Sequence, residues 1–174
     1  MRYESPVPER RILLVRHAIA EDLSSSGRDF DRALTPEGRE RMERAARGLA
    51  ALDVKPTALL ASPLVRARQT AEILGRALDA KPGTWDALAC GVDHEGVSAE
   101  LDERYPVGTI LLVGHEPDLG ELLSLWLCGD PRRMAVHFRK GAVACVTAGG
   151  LPPSGRAVLE WMLTSGQLGR IARG

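Results

Sequence analysis

The stretch Ile12-Leu13-Leu14-Val15-Arg16-His17 sets four apolar residues directly against two polar ones, with no alternation between them. A short continuous apolar run of this kind is expected of a strand covered on both faces, so polar chemistry begins where the strand stops. The pattern recurs twice: Thr57 to Ala61 runs into Ser62-Pro63, and Thr109 to Val113 runs into Gly114-His115. Helical periodicity follows each run. After the first, Thr35-Pro36-Glu37 reads as N-cap, proline at the first helical position and an acid in the first turn. Met42, Ala45, Ala46, Leu49 and Leu52 then form one apolar face that ends near Asp53. After the second, Ser62-Pro63 reads as another cap and start, Leu64, Ala67, Ala71, Leu74 and Leu78 form a stripe, and Arg66 falls in the first turn. After the third, Pro117 to Leu127 carries helical spacing at Leu119, Leu122, Leu123 and Trp126. Ala142 to Thr147 and Ala157 to Leu163 read as a closing pair of strands joined by a Gly/Pro-rich loop.

Strands alternating with helices predict an α/β fold, a three-layer α/β/α sandwich with a mainly parallel central sheet. In such sheets ligands sit beyond the carboxyl ends of the strands. The three runs deliver Arg16 and His17, Ser62 and Arg66, and His115 to that edge. The chain's 174 residues fit a single domain over 1–174, with 1–10 expected to be a flexible N-terminal extension. Apolar types make up 44% and charged types 26%, which excludes disorder as the main state. Lys and Arg balance Asp and Glu, 23 against 23, so no net field draws the molecule to nucleic acid or an acidic membrane. Arg39, Arg41, Arg44 and Arg47 interleave with Glu37, Glu40 and Glu43, the pattern of a solvated helix face rather than a nucleic-acid stripe. Cys90, Cys128 and Cys145 are odd in number and widely spaced, which argues against a disulfide framework or a zinc knuckle; buried thiols are expected. No apolar run approaches the roughly 20 residues of a bilayer span, and no secretory apolar segment follows the first residues, so a cytoplasmic location is expected.

Arginine offers a planar fork of donors that matches phosphoryl oxygens and stays charged at any working pH. One neutral imidazole can attack phosphorus while a second, protonated one donates to the phosphoryl oxygens, and no metal or cofactor is then required. The segments LLVRHA around Arg16-His17, RALTPEG from Arg32, SPLVRARQTAEIL from Ser62 and LLVGHEP around His115 together resemble the histidine phosphatase (phosphoglycerate mutase-like) superfamily, nearest to its short, SixA-like phosphohistidine phosphatases. The resemblance implies a phosphoglycerate mutase-like fold without a large cap. It implies that His17 is the nucleophile that becomes phosphorylated, that Arg16, Arg32, Arg66 and His115 form the phosphate pocket, and that Ser62 sets the loop carrying Arg66. Arg28 lies in the same loop as Arg32 and is the alternative there.

Two departures bear on activity. Ala18 stands where much of the superfamily has glycine after the nucleophile. The glutamate that larger members use as general acid has no counterpart in Trp85-Asp86-Ala87-Leu88, where Asp86 is the nearby candidate, with Asp93 and Glu95 further on. An alkoxide, whose conjugate acid has a pKa near that of water at about 15.7, needs protonation far more than imidazole does, whose protonated form has a pKa of about 6.5. The interval from Ala80 to Gly108 is read as too short to hold a helical lid plus a connection, which leaves the site open to a protein surface. Both points favour a phosphohistidine on a partner protein, such as a phosphotransfer domain, over a small phosphate ester. The alternatives are a small-molecule phosphomonoesterase and a non-catalytic phosphate-binding module. A metal hydrolase built on His17 and His115 lacks clustered ligand spacing. His94 and His137 are read as structural or solvated.

Overall fold

The computed structural model describes residues 10–152 and 156–173. Its elements run β1 (Arg10–Arg16), α1 (Pro36–Ala51), β2 (Ala58–Ala61), α2 (Val65–Leu78), β3 (Pro82–Thr84), α3 (His94–Arg104), β4 (Gly108–Gly114), α4 (Asp118–Cys128), β5 (Val143–Ala148), β6 (Ala157–Leu163) and α5 (Ser165–Ile171), with 3-10 turns at Asp29–Asp31 and Asp86–Leu88. The strands form one sheet in the order β3-β2-β4-β1-β5-β6. The first four run parallel, while at one side β5 pairs antiparallel to β1 and β6 antiparallel to β5.

Successive strand residues point to opposite faces, and each face has its own core. Leu13, Val15, Leu111 and Val113 pack with α1, α2 and Leu168 of α5 on one side. Ile12, Leu14, Ile110 and Leu112 pack with α3 and α4 on the other. The unbroken apolar run of β1 is therefore buried on both faces. Each such side chain contributes about 1.5–3 kcal/mol by leaving water. An exposed pair such as Glu37–Arg41 on α1 contributes at most about 1 kcal/mol, so burial dominates the scaffold. Thr35 caps α1 as its sequence predicts, its hydroxyl accepting from the Gly38 N–H.

The structure corrects four expectations. Residues 1–9 lie outside the described residues, but Arg10 belongs to β1 rather than to an extension: it is buried, donates to the carbonyls of Leu101 and Tyr105, and pairs with Asp102. Helix α2 begins at Val65 with Leu64 as N-cap, and the Ser62 hydroxyl, expected to cap it, lies against His115. The interval from Ala80 to Gly108 does hold a helix, α3. Its Val97 and Leu101 enter the core and its Ser98 accepts from Trp126 Nε1 at 2.8 Å, so it is a scaffold helix and no large cap is present among the described residues. Of the cysteines only Cys145 is buried; Cys90 is exposed and Cys128 half-buried. Among the described residues, no helix is long and apolar enough to cross a membrane.

Gly38 marks a close approach that fixes where α1 meets the segment after β1. A Cβ there would lie 2.1 Å from the backbone oxygen of Ile19, and a backbone atom cannot swing aside as a side-chain tip can. Gly38→Ala is expected to cost about 1–3 kcal/mol of stability, read as a lower urea midpoint with an unchanged slope.

Candidate active site

The register of neighbouring strands builds the site. Arg16 stands opposite Gly114 in the β1–β4 ladder, and the ladder continues one step further, with the His17 N–H donating to the Gly114 carbonyl at 3.0 Å. The Ser62 N–H likewise donates to the Val113 carbonyl at 2.9 Å. Three parallel strands thus end at one level, and His17, His115 and Ser62 leave them side by side. The two imidazole rings lie 5.2 Å apart between centroids, tilted by 53°. Both histidines are buried.

His17 Nδ1 lies 2.7 Å from the carbonyl oxygen of Ala18. An oxygen there can only accept, so the ring proton sits on Nδ1 and the Nε2 lone pair is free. Burial foremost pushes the His17 pKa down to about 3; the Ala18 carbonyl opposes this, while His115, Arg66 and Arg16 add to it. His115 is pushed down to about 4, again by burial first and then by Arg66 and Arg16, with Asp118 and Asp29 pulling the other way. Burial therefore favours the uncharged form of both rings. His115 Nε2 is 2.7 Å from the Ser62 hydroxyl, and its Nδ1 is buried without a hydrogen-bond partner.

The expected arginines divide in two. Arg16 and Arg66 both act electrostatically on both histidines. Arg16 is anchored by donation to the Phe138 carbonyl at 2.7 Å. Arg66 is buried and donates to Asp29 twice, to its carbonyl at 2.8 Å and its carboxylate at 3.0 Å. Arg32 joins through the same residue: its Nε lies 2.8 Å from the other Asp29 oxygen, an ion pair without hydrogen-bond alignment. Arg28 is turned to Asp31 instead. Asp86 is not brought into this group; it is exposed, and among the described residues its carboxylate makes no hydrogen bond or ion pair with a pocket residue.

Three contributors escaped the sequence reading. Asp29 ties two of the arginines together. Thr70 accepts the Ala18 N–H at 3.1 Å and donates to the Arg66 carbonyl at 2.7 Å, which locks the turn after His17 onto α2. The backbone of Ala18 is outside the left-handed region, where among non-glycine described residues only Asp53 and Asp79 fall, so the methyl group there is accommodated. The third is Glu116, next to His115 in the LLVGHEP segment. Half-buried, with Oε1 accepting from the Gly120 N–H at 3.1 Å, it has its pKa raised to about 7 by burial, against the opposing pull of that N–H and of Arg16.

Paired neutral imidazoles among guanidinium groups, at the carboxyl edge of a mostly parallel α/β sheet, define a protein built to hold an oxyanion. The family model of the histidine phosphatase superfamily (branch 1) matches residues 12–90. Phosphohistidine phosphatase SixA of Escherichia coli (strain K12) is 30% identical over 160 residues, 88% of this chain and 93% of that protein. An uncharacterized protein of Picosynechococcus sp. is 42% identical over 109 residues, 61% of this chain. The chain spans 66% of the length of that cyanobacterial relative and 31% of a Xenopus tropicalis mitochondrial serine/threonine-protein phosphatase. The solved structure of the protein histidine phosphatase SixA complexed with tungstate superposes with a TM-score of 0.78 at 27% identity, covering 91% of this chain and 99% of that one. A phosphoglycerate mutase of Bacillus anthracis shares the fold at 14% identity and a TM-score of 0.71. The chain belongs to the histidine phosphatase superfamily, and within it is SixA-like.

Glu116 gives the site a measurable signature. Because its folded pKa is raised, the folded state holds a proton that the unfolded state has lost, and the stability this contributes falls away as pH rises from the ordinary glutamate value toward about 7. A carboxyl-carbon NMR titration is expected to show a midpoint near 7 for Glu116, and Glu116→Gln is expected to flatten the stability profile in that window. A midpoint near the ordinary value of about 4.3 would contradict this.

Proposed function

We propose that the protein is a metal-independent phosphohistidine phosphatase acting in the cytoplasm on a histidine-phosphorylated partner protein, such as a phosphotransfer domain. The observation that carries this reading is the His17 Nδ1–Ala18 carbonyl bond, which leaves Nε2 unprotonated in the field of Arg66 and Arg16. In the first step that lone pair forms a bond to phosphorus while the bond from phosphorus to the substrate nitrogen breaks, and the departing imidazole takes up a proton. In the second, water attacks phosphorus, the bond to His17 Nε2 breaks, and inorganic phosphate leaves. Arg16 and Arg66 stabilise charge on the equatorial oxygens in both steps. The Ser62 oxygen also accepts from the Leu64 N–H, and in this reading its hydroxyl donates to His115 Nε2. The His115 proton then sits on Nδ1, its buried unpartnered nitrogen, as a donor for a phosphoryl oxygen.

The SixA relative and the tungstate-bound SixA structure support the substrate class, the second through a bound oxyanion. In this pocket Asp29 holds Arg66 and Arg32, and an arriving phosphoryl group takes over those donors. Asp29→Asn, which removes one negative charge and keeps the carbonyl contact, is expected to tighten inorganic phosphate binding by roughly two- to tenfold in calorimetric titration. Unchanged or weaker binding would place Asp29 as a support for the arginines rather than a competitor.

The catalytic reading is tested by rapid quench with a phosphohistidine protein. The expected result is an acid-labile phosphate on His17, turnover that persists in a strong chelator, and a loss of about 10³-fold or more in His17→Ala; equal turnover by the two proteins would overturn it. Glu116 favours a second reading. A carboxyl group that is about half protonated near neutral pH can serve as the acid that an ester leaving group needs, and one relative is named a serine/threonine-protein phosphatase. If esters are substrates, Glu116→Gln lowers their hydrolysis by about 10²- to 10⁴-fold while phosphohistidine turnover changes little. Equal effects on both substrates would remove Glu116 from the acid role.

A further inference from the structure

Beside the phosphate pocket, where the first turns of α3 and α4 meet, three side chains converge. His94 opens α3, while Asp118 and Glu121 stand three residues apart on one face of the first turn of α4. His94 Nε2 lies 3.3 Å from Glu121 Oε2 and 3.9 Å from Asp118 Oδ1, and one ligand atom from each residue lies within 4.8 Å of the other two. Nε2 is shielded from solvent yet makes no hydrogen bond: Asp118 Oδ1 is too distant and Glu121 Oε2, though near enough, is not aligned with it. A nitrogen facing two anionic oxygens at these spacings, but off the hydrogen-bonding direction, is arranged around a point between them rather than toward either.

We propose that His94, Asp118 and Glu121 bind a divalent transition-metal ion of the zinc type. Tetrahedral coordination at about 2.0–2.1 Å places neighbouring ligand atoms about 3.3 Å apart. The His94–Glu121 separation, 3.3 Å, already has that value, and the His94–Asp118 separation, 3.9 Å, would close by about 0.6 Å on binding. The Asp118 carboxylate is also held in place from behind: its two oxygens accept from the backbone N–H groups of Gly91 and Val92 at 3.1 and 3.0 Å. Such outer hydrogen bonds orient a ligating carboxylate. An imidazole with two carboxylates suits zinc and its first-row neighbours, whereas magnesium and calcium take oxygen ligands. The two carboxylates balance a divalent charge, and three protein ligands leave a fourth position for water. Bound there, the ion joins the first turn of α3 to that of α4. It also neutralises the Asp118 charge that bears on His115. The proposal is independent of the catalytic reading, since none of its ligands takes part in phosphoryl transfer.

The test is titration of the chelator-stripped full chain with Co²⁺, followed by visible absorbance, and with Zn²⁺, followed by thermal unfolding. One saturable equivalent, a tetrahedral cobalt spectrum and a raised unfolding temperature are expected. His94→Ala and Glu121→Gln are each expected to weaken binding at least about tenfold, while His137→Ala, at an exposed histidine, leaves it unchanged. Circular dichroism confirms that each variant is folded. Absence of saturable binding to the folded wild-type chain, or equal affinity in wild type and His94→Ala, would overturn the proposal.

Discussion

An imidazole that stays uncharged between guanidinium groups is the constraint on which the arrangement of this molecule depends. A nucleophilic nitrogen needs its lone pair, and a phosphoryl group needs positive charge around it. In water those demands coexist easily, but in one small pocket they also require that the positive charge never be the nucleophile's own proton. Burial supplies most of the answer here, pushing the His17 pKa down to about 3, and the neighbouring arginines push in the same direction. The groups that would hold the oxyanion therefore also help keep the attacking nitrogen available.

Burial of two histidines and Arg66, with Arg16 half-buried beside them, is costly unless their polar atoms are met, and much of the surrounding structure can be understood as meeting them. The Ala18 carbonyl takes the His17 ring proton, Phe138 takes Arg16, Asp29 takes Arg66, and Ser62 engages His115. Three of these four partners lie far away in sequence, so the pocket forms only when the sheet forms. The β1–β4 register has particular weight. A slip of one residue would turn His17 to the opposite face and separate it from His115.

Much of this was legible before any coordinates. The apolar run of β1, the cap of α1 and the stripe of α2 are local patterns whose physics is carried by neighbouring residues, and the polar residues after each strand had only one edge to occupy. What stayed hidden depended on tertiary contact. Helix α3 has few apolar residues of its own and is held by Trp126 on Ser98 and by Arg10 on its C-terminal carbonyls. Strand β3 has only three residues, and α5 is short with two glycines. Ser62 has the look of a helix cap and serves His115 instead. Glu116 stood in plain view beside His115, but a raised carboxyl pKa comes from burial, which a sequence does not display. Asp86 was favoured for its position in the chain and lies exposed, apart from the pocket contacts.

The most direct measurement is ¹⁵N NMR of the His17 imidazole across a pH series. The account predicts a neutral ring with its proton on Nδ1 and an unprotonated Nε2, unchanged from neutral pH down to about pH 4. A proton on Nε2, or an imidazolium already formed near the ordinary histidine pKa of about 6.5, would contradict it.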